Sequence, residues 1–163
     1  MVLDGHVRNY HTAQDRALPA GQAQPPIASY PRKEGSDVHQ WAAPMGPDGA
    51  WIELSWDQPQ RIRHVQITFD TAFHRMVKLM ASVTGTRRGQ IIRGPQPETV
   101  RDYTLSYRKA SGGELAPLAA VKGNAQRLNR HDFAPVDAQS VRIHVTATNG
   151  DALARIFEIR CYA

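Results

Sequence analysis

Tyrosine, histidine and arginine side chains gather in two stretches of this chain that carry no periodic pattern. Tyr10, His11 and Tyr30 lie within residues 6 to 37, and Phe73, His74, Arg75, Arg87 and Arg88 lie within residues 71 to 99. Asn149 stands in a late Asn-Gly-Asp turn. An aromatic ring offers a flat apolar face, a guanidinium offers a rigid fork of donors, and an amide both donates and accepts. Together these suit a ligand that bears hydroxyls or a carboxylate. They do not suit catalysis, because no acid–base pair or activated nucleophile is legible. There is no phosphate loop, dinucleotide fingerprint, HExxH or GxSxG. The expectation is a non-catalytic binding module, and its candidate ligand residues are Tyr10, Tyr30, His74, Arg75, Arg87, Arg88 and Asn149.

The elements that must position these residues read as strands. Ile52, Leu54 and Trp56 alternate with Trp51, Glu53 and Ser55, and Val65, Ile67 and Phe69 alternate with His64, Gln66 and Thr68. That period of two belongs to half-buried strands. Asp57-Gln58-Pro59-Gln60 between them reads as a turn, which predicts an antiparallel hairpin with one apolar face. Tyr103, Leu105 and Tyr107 repeat the pattern, as do Val141, Ile143 and Val145, and ARIFEIRCY at 154 to 162 closes the chain. Shorter strands are expected at 39 to 43, at 115 to 121 and at 127 to 133, the last broken at Pro135. About eight short strands joined by turn chemistry, with no convincing long helix, predict an all-β sandwich or jelly roll. An apolar sheet face needs a second sheet to cover it. Trp41, Trp51 and Trp56 read as structural.

The totals agree with one domain spanning 1–163. Forty-one per cent of the residues are apolar and 21% charged, which excludes wholesale disorder. The single cysteine, Cys161, excludes an internal disulfide and any multi-cysteine zinc site; it alternates with Phe157 and Ile159 and so reads as a small buried hydrophobe. A net charge of +5 permits a polyanion partner, yet the basic residues are scattered and no nucleic-acid signature accompanies them. Nucleic acid is therefore not the expected partner. No stretch is long and apolar enough for a membrane span, and MVLDGHVRNY at the start has no signal-peptide character.

Several pieces, in order, resemble the discoidin domain, also called the coagulation factor type C or galactose-binding-like domain. They are Leu3-Asp4-Gly5, the WIEL…P…I..V.I.FD run from Trp51 to Asp70, and ARIFEIRCY. GPQPETVRDYTL at 94 to 105 and the stretch from Gly123 to Ala163 resemble a bacterial accessory-domain branch. The resemblance implies a jelly roll of two antiparallel sheets, about five strands against three. It also implies a carbohydrate-binding function through loops at one end, with a glycan or acidic polysaccharide as ligand. A parent catalytic domain, glycan-active or of the FAD-dependent oxidoreductase kind, is implied as a neighbour, and a periplasmic or extracellular setting is favoured. Many members hold a structural calcium at positions that match Asp4 and Glu158, although HVRNYH at 6 to 11 replaces the usual Asn and Thr. The Asn124, Arg127 and His131 set also resembles a family feature, and it is expected to satisfy backbone groups. Two other readings stay open: a structural domain that docks on its parent enzyme, and a polyanion binder.

Overall fold

A computed structural model describes residues 2–3, 40–72 and 92–163. Among the described residues every regular element is a strand. These are β1 (Val2–Leu3), β2 (Trp41–Pro44), β3 (Ala50–Phe69), β4 (Val100–Arg108), β5 (Ala116–Val121), β6 (Leu128–Thr148) and β7 (Leu153–Tyr162). All pairings are antiparallel. Hydrogen bonding runs in the order β1-β7-β3-β6-β4-β5, with β2 on the same strand as β1, namely β7.

The two layers of the sandwich come from two long strands shared between them. The first half of β3 pairs with the second half of β6, from Ala50↔Val145 to Ser55↔Ser140. The second half of β3 pairs with the first half of β6, from Gln60↔Ala138 to Thr68↔Leu128. Between Ser55 and Gln60 the register shifts, and four residues of β3 stand against Gln139 alone. A bulge of that size bends the ribbon and lets a strand pass from one layer to the other. One layer is then β5-β4-β6-β3 and the other is β6-β3-β7 with β1 and β2.

This differs from the expected hairpin. Trp56 to Gln60 does not turn the chain back on itself, because residues on both sides of it pair with the same partner strand. The proline is tolerated for the reason that suggested a turn: a bulge leaves no ladder hydrogen bond for it to make. Pro135 is accommodated likewise, at the register shift between Ile62↔Val136 and His64↔Asp132, so β6 continues through it.

The inward faces fall where the alternation put them. Val65, Ile67 and Phe69 of one layer and Val141, Ile143, Val145, Tyr103 and Leu105 of the other are all at most 1% exposed and share one core. The Phe69 and Tyr103 rings meet edge to face across the layers, centroids 5.0 Å apart. Cys161 is buried in the same core, and desolvation pushes its thiol well above the ordinary range, which makes it an inert hydrophobe. Phe157 breaks the alternation expected of β7. A register shift between Thr68↔Glu158 and Phe69↔Ile156 turns it out of the core, under the Arg127 guanidinium at 4.8 Å.

Candidate functional site

The bend at Trp56–Gln60 defines one end of the sandwich, with the β4–β5 turn beside it: Ser111 N donates to Gln139 Oε1 at 2.7 Å. Both ends of β6 and both ends of β3 therefore lie at the other end. Gly49, in the turn before β3, is pressed against this frame. With φ at 87°, a Cβ there would stand 2.1 Å from the Val145 carbonyl oxygen, so only glycine fits.

The roots of both long connections gather at this second end. β1 runs antiparallel to β7, so the chain leaves Leu3, opposite Ile159, heading towards the β6–β7 turn. It is next described at Gln40, immediately before the Trp41↔Ile156 pair on the same edge of β7. The second connection leaves from Asp70 and returns through Pro97 and Thr99. Asp151 N donates to the Pro97 carbonyl at 3.0 Å, and Asn149 N donates to the Thr99 carbonyl at 3.0 Å.

A polar relay ties these roots together. Asp70, 5% exposed, accepts from Gln40 Nε2 at 2.7 Å and from Ala72 N at 2.7 Å. Gln40 Oε1 accepts from Arg155 Nη1 at 3.4 Å, and Arg155 Nε donates to Asp151 Oδ2 at 2.9 Å. The Arg155 and Asp151 side chains are 16% and 7% exposed. Buried charges persist only when paired and hydrogen-bonded, and here each is. Ala72 adopts φ 58°, the left-handed region, and the Asp70 carboxylate holds its amide there.

Asn149, the described member of the predicted ligand set, spends its amide on the frame. Both amide hydrogens go to backbone carbonyls, those of Thr99 and Asn124, each at 3.0 Å. Asn124 does the same, donating to Val100 O and Gln126 O and accepting from Gln126 N. His131 instead shares a 2.9 Å hydrogen bond with the Tyr103 hydroxyl. Burial first, and then the neighbouring His64, hold the His131 pKa below its ordinary value against the opposing pull of Asp132. Tyr10, Tyr30, His74, Arg75, Arg87 and Arg88 lie outside the described residues, and so does Asp4.

Glu158, the other half of the expected calcium pair, lies beside the Leu3↔Ile159 pair and binds Arg160 Nη2 at 2.5 Å through Oε1. Among the described residues no three His, Cys, Asp or Glu side chains gather as a metal site. These residues therefore do not by themselves fit a calcium, which wants six to eight oxygens. Near the bend, Trp56, Ile62, Cys161 and Tyr162 help line a cavity of about 60 Å³, far below the roughly 300 Å³ at which small-molecule pockets begin.

The sequence reading missed two features. Trp51 is 54% exposed, with the Arg142 guanidinium 4.1 Å from its ring centroid. Its outward strand position was the available signal. The Gln40–Asp70 bond joins residues 30 apart, at the roots of two aperiodic stretches, and no local pattern announces it.

No family model matches the chain, and no curated protein matches it. Solved structures do. Chitosan-binding module 1 of a chitosanase/glucanase from Paenibacillus sp. IK-5 aligns over 80% of each chain at 17% identity, with a TM-score of 0.56. The family 32 carbohydrate-binding module of Streptococcus pneumoniae EndoD aligns over 76% of this chain and 75% of its own, at 19% identity and a TM-score of 0.53. A family 32 module of a Clostridium perfringens protein, in complex with GalNAc-β-1,3-galactose, covers 76% of this chain and 75% of its own, at 13% identity and a TM-score of 0.51. Sheet order, shared core and these likenesses agree: the chain has the galactose-binding-like, discoidin-type fold of the family 32 carbohydrate-binding modules.

Proposed function

We propose that this chain is a non-catalytic carbohydrate-binding accessory module whose ligand surface is built by the two long connections at one end of the sandwich. The observation that carries the reading is the convergence of Gln40, Asp70 and Pro97, where these connections join the frame, on one buried polar relay beside the β6–β7 turn. Short turns suffice for a sandwich of this size, and long loops held on a rigid frame are where binding residues concentrate. The solved structures of the same fold include several carbohydrate-binding modules, among them one bound to chitotriose. Another likeness covers 11% of a Clostridium perfringens family 89 glycoside hydrolase, which supports attachment to a parent catalytic domain as the setting. Affinity in the millimolar to micromolar range then suffices, since tethering raises the effective concentration.

In this reading Arg75, Arg87 and Arg88 read hydroxyls or a carboxylate, Tyr10 or Tyr30 supplies the stacking face, and His74 adds a donor or acceptor. Asn149 acts from beneath, fixing the loop that returns at Thr99. A glycan array followed by calorimetry with galactosides, chitooligosaccharides and uronic acids tests it. Arg75→Ala and Arg87→Ala should each weaken a bound glycan by about 1–3 kcal/mol, the span from an ordinary hydrogen bond to a charged one, with little change in Tm. No binding across the panel would sink the proposal and favour docking on a parent enzyme. A calcium shared by Asp4 and Glu158 belongs to the same proposal. It would share the Glu158 carboxylate with Arg160, which holds Oε1, and a rise in Tm when calcium is added to the chelator-treated chain is the expected sign.

A further inference from the structure

The outward face of the β5-β4-β6-β3 layer carries a second constellation, away from the loops. Trp51, Glu53 and Ser55 of β3 lie beside His144, Arg142 and Ser140 of β6, which lie beside Thr104, Ser106 and Arg108 of β4. Glu53 is its anchor. Its Oε2 accepts from Arg142 Nε at 2.8 Å and Nη2 at 2.5 Å, and its Oε1 accepts from Ser140 Oγ at 2.5 Å and Arg108 Nε at 3.2 Å. Arg108 Nη1 donates to the Gly113 carbonyl. Two guanidiniums are thus held rigid by one carboxylate, at 22% and 20% side-chain exposure. Each keeps an edge, Nη1 of Arg142 and Nη2 of Arg108, that meets no partner among the described residues. The Arg142 guanidinium also stacks on Trp51, which leaves more than half of that residue open to solvent.

We propose that this face is a second sugar-binding surface, suited to an acidic oligosaccharide with uronate carboxylates; the inference rests on the carbohydrate-binding reading above. Trp51 stacks a sugar ring, and the free guanidinium edges of Arg142 and Arg108 take a carboxylate. Three facts choose this occupant. An exposed indole held against the Arg142 guanidinium is a stacking face fixed in advance, at low entropic cost. Two positive charges stand against the single negative charge of Glu53, so the face has positive charge to spare for an anion. The residues around Trp51 are polar, and they lack the apolar core that a protein partner's docking patch needs. From Trp51 on β3 to Arg108 on β4 is two strand spacings across the sheet, roughly 10 Å, and four residues along it, roughly 13 Å, so the surface suits an extended chain rather than a single ring.

Proton–nitrogen correlation spectra of the full chain test this. The indole signals of Trp41, Trp51 and Trp56 are assigned by single substitutions to Phe, and the chain is titrated with tetragalacturonate and with neutral cellotetraose. The Trp51 signal should move saturably with tetragalacturonate. Cellotetraose should bind at least tenfold more weakly. Arg108→Gln should weaken the tetragalacturonate titration of the Trp51 signal tenfold or more, and Trp51→Ala should weaken tetragalacturonate tenfold or more by calorimetry, each with the rest of the spectrum showing the fold intact. If the Trp51 signal stays still while loop-end signals such as the Asn149 side-chain amide move, the face is not a site, and the loop-end reading stands. If no signal moves with either sugar, the face is not a site, and the loop-end reading is decided separately by the panel of galactosides, chitooligosaccharides and uronic acids. Equal binding of the two sugars overturns the carboxylate assignment.

Discussion

Replacing Asp70 with asparagine changes one oxygen to an amide and leaves the size of the side chain unaltered, yet the relay has a polarity that cannot absorb it. Gln40 points its NH2 at Asp70 and its carbonyl oxygen at Arg155. An amide at position 70 can keep the Ala72 N–H by offering its oxygen to it, and then its NH2 faces the NH2 of Gln40. Rotating Gln40 relieves that clash and turns its NH2 against the Arg155 guanidinium. One donor is left facing a donor whichever way the amides turn, at a position where Asp70 and Gln40 are 5% and 7% exposed. A hydrogen bond to a charged group contributes about 1.5–3 kcal/mol, and an unsatisfied buried donor costs a similar amount. Asp70→Asn should therefore destabilise by about 1.5–3 kcal/mol. Urea unfolding measures it as a lower midpoint at unchanged slope. Because the bond ties the roots of both long connections, glycan affinity should fall as well, although Asp70 touches no ligand. A cost below about 0.5 kcal/mol together with unchanged affinity would refute the argument.

Three further outcomes follow from the same structure. Ile67→Ala and Ile143→Ala, one in each layer and both at most 1% exposed, should each cost about 2–5 kcal/mol in denaturant unfolding. Stability should fall in two steps with falling pH. The His131 pKa is depressed mainly by burial, so the unfolded chain takes up a proton that the folded one resists, and stability declines as pH drops below the ordinary histidine value of 6.5. His131→Gln, which keeps an acceptor for Tyr103, should remove that first step. For Glu53 burial acts upwards, but Ser140, Arg142 and Arg108 together hold the pKa below 4.5, so its contribution is present above that pH and is lost below it. Glu53→Gln should flatten the second step, and a Tm profile from pH 8 to 3 reads both.

Alternation made the fold legible and left its connectivity open. A period of two says which residues face inward, and Val65, Ile67, Phe69, Val141, Ile143 and Val145 all do. It does not say with which strand they pair. Asp57-Gln58-Pro59-Gln60 carries the chemistry of a turn, and a wide bulge at a sandwich corner needs the same chemistry: no ladder donor from proline, and polar side chains for solvent. Only the partner separates the two cases, and that partner, β6, lies some 80 residues along the chain, with Ser55 opposite Ser140. Phe157 fails for a related reason. A single register shift in β7 puts Ala154 and Ile156 inward before it and Ile159 and Cys161 inward after it, and Phe157, at the shift, falls outside the core.

For the site, residue type and residue pattern gave opposite advice, and pattern was the better guide. Tryptophan is a costly residue to leave in water, which is why Trp51 reads as structural. Yet the alternation with Ile52 and Leu54 already placed it on the face that carries Glu53 and Ser55. Its exposure follows from that register, since Ile52 pairs with Ile143 inside and Trp51 with His144 outside. The relay at the loop end shows the complementary blindness. Gln40 and Asp70 look like ordinary polar residues at the edges of aperiodic stretches, and only the closing of the sandwich brings them within 2.7 Å. Buried polar pairs of this kind are costly unless complete, so a fold that keeps them is spending stability to fix a geometry. Here the geometry fixed is that of the points where both long connections join the frame. That is the place where a module that works through its loops must be rigid, because a loop can hold a sugar in one pose only if its ends do not move.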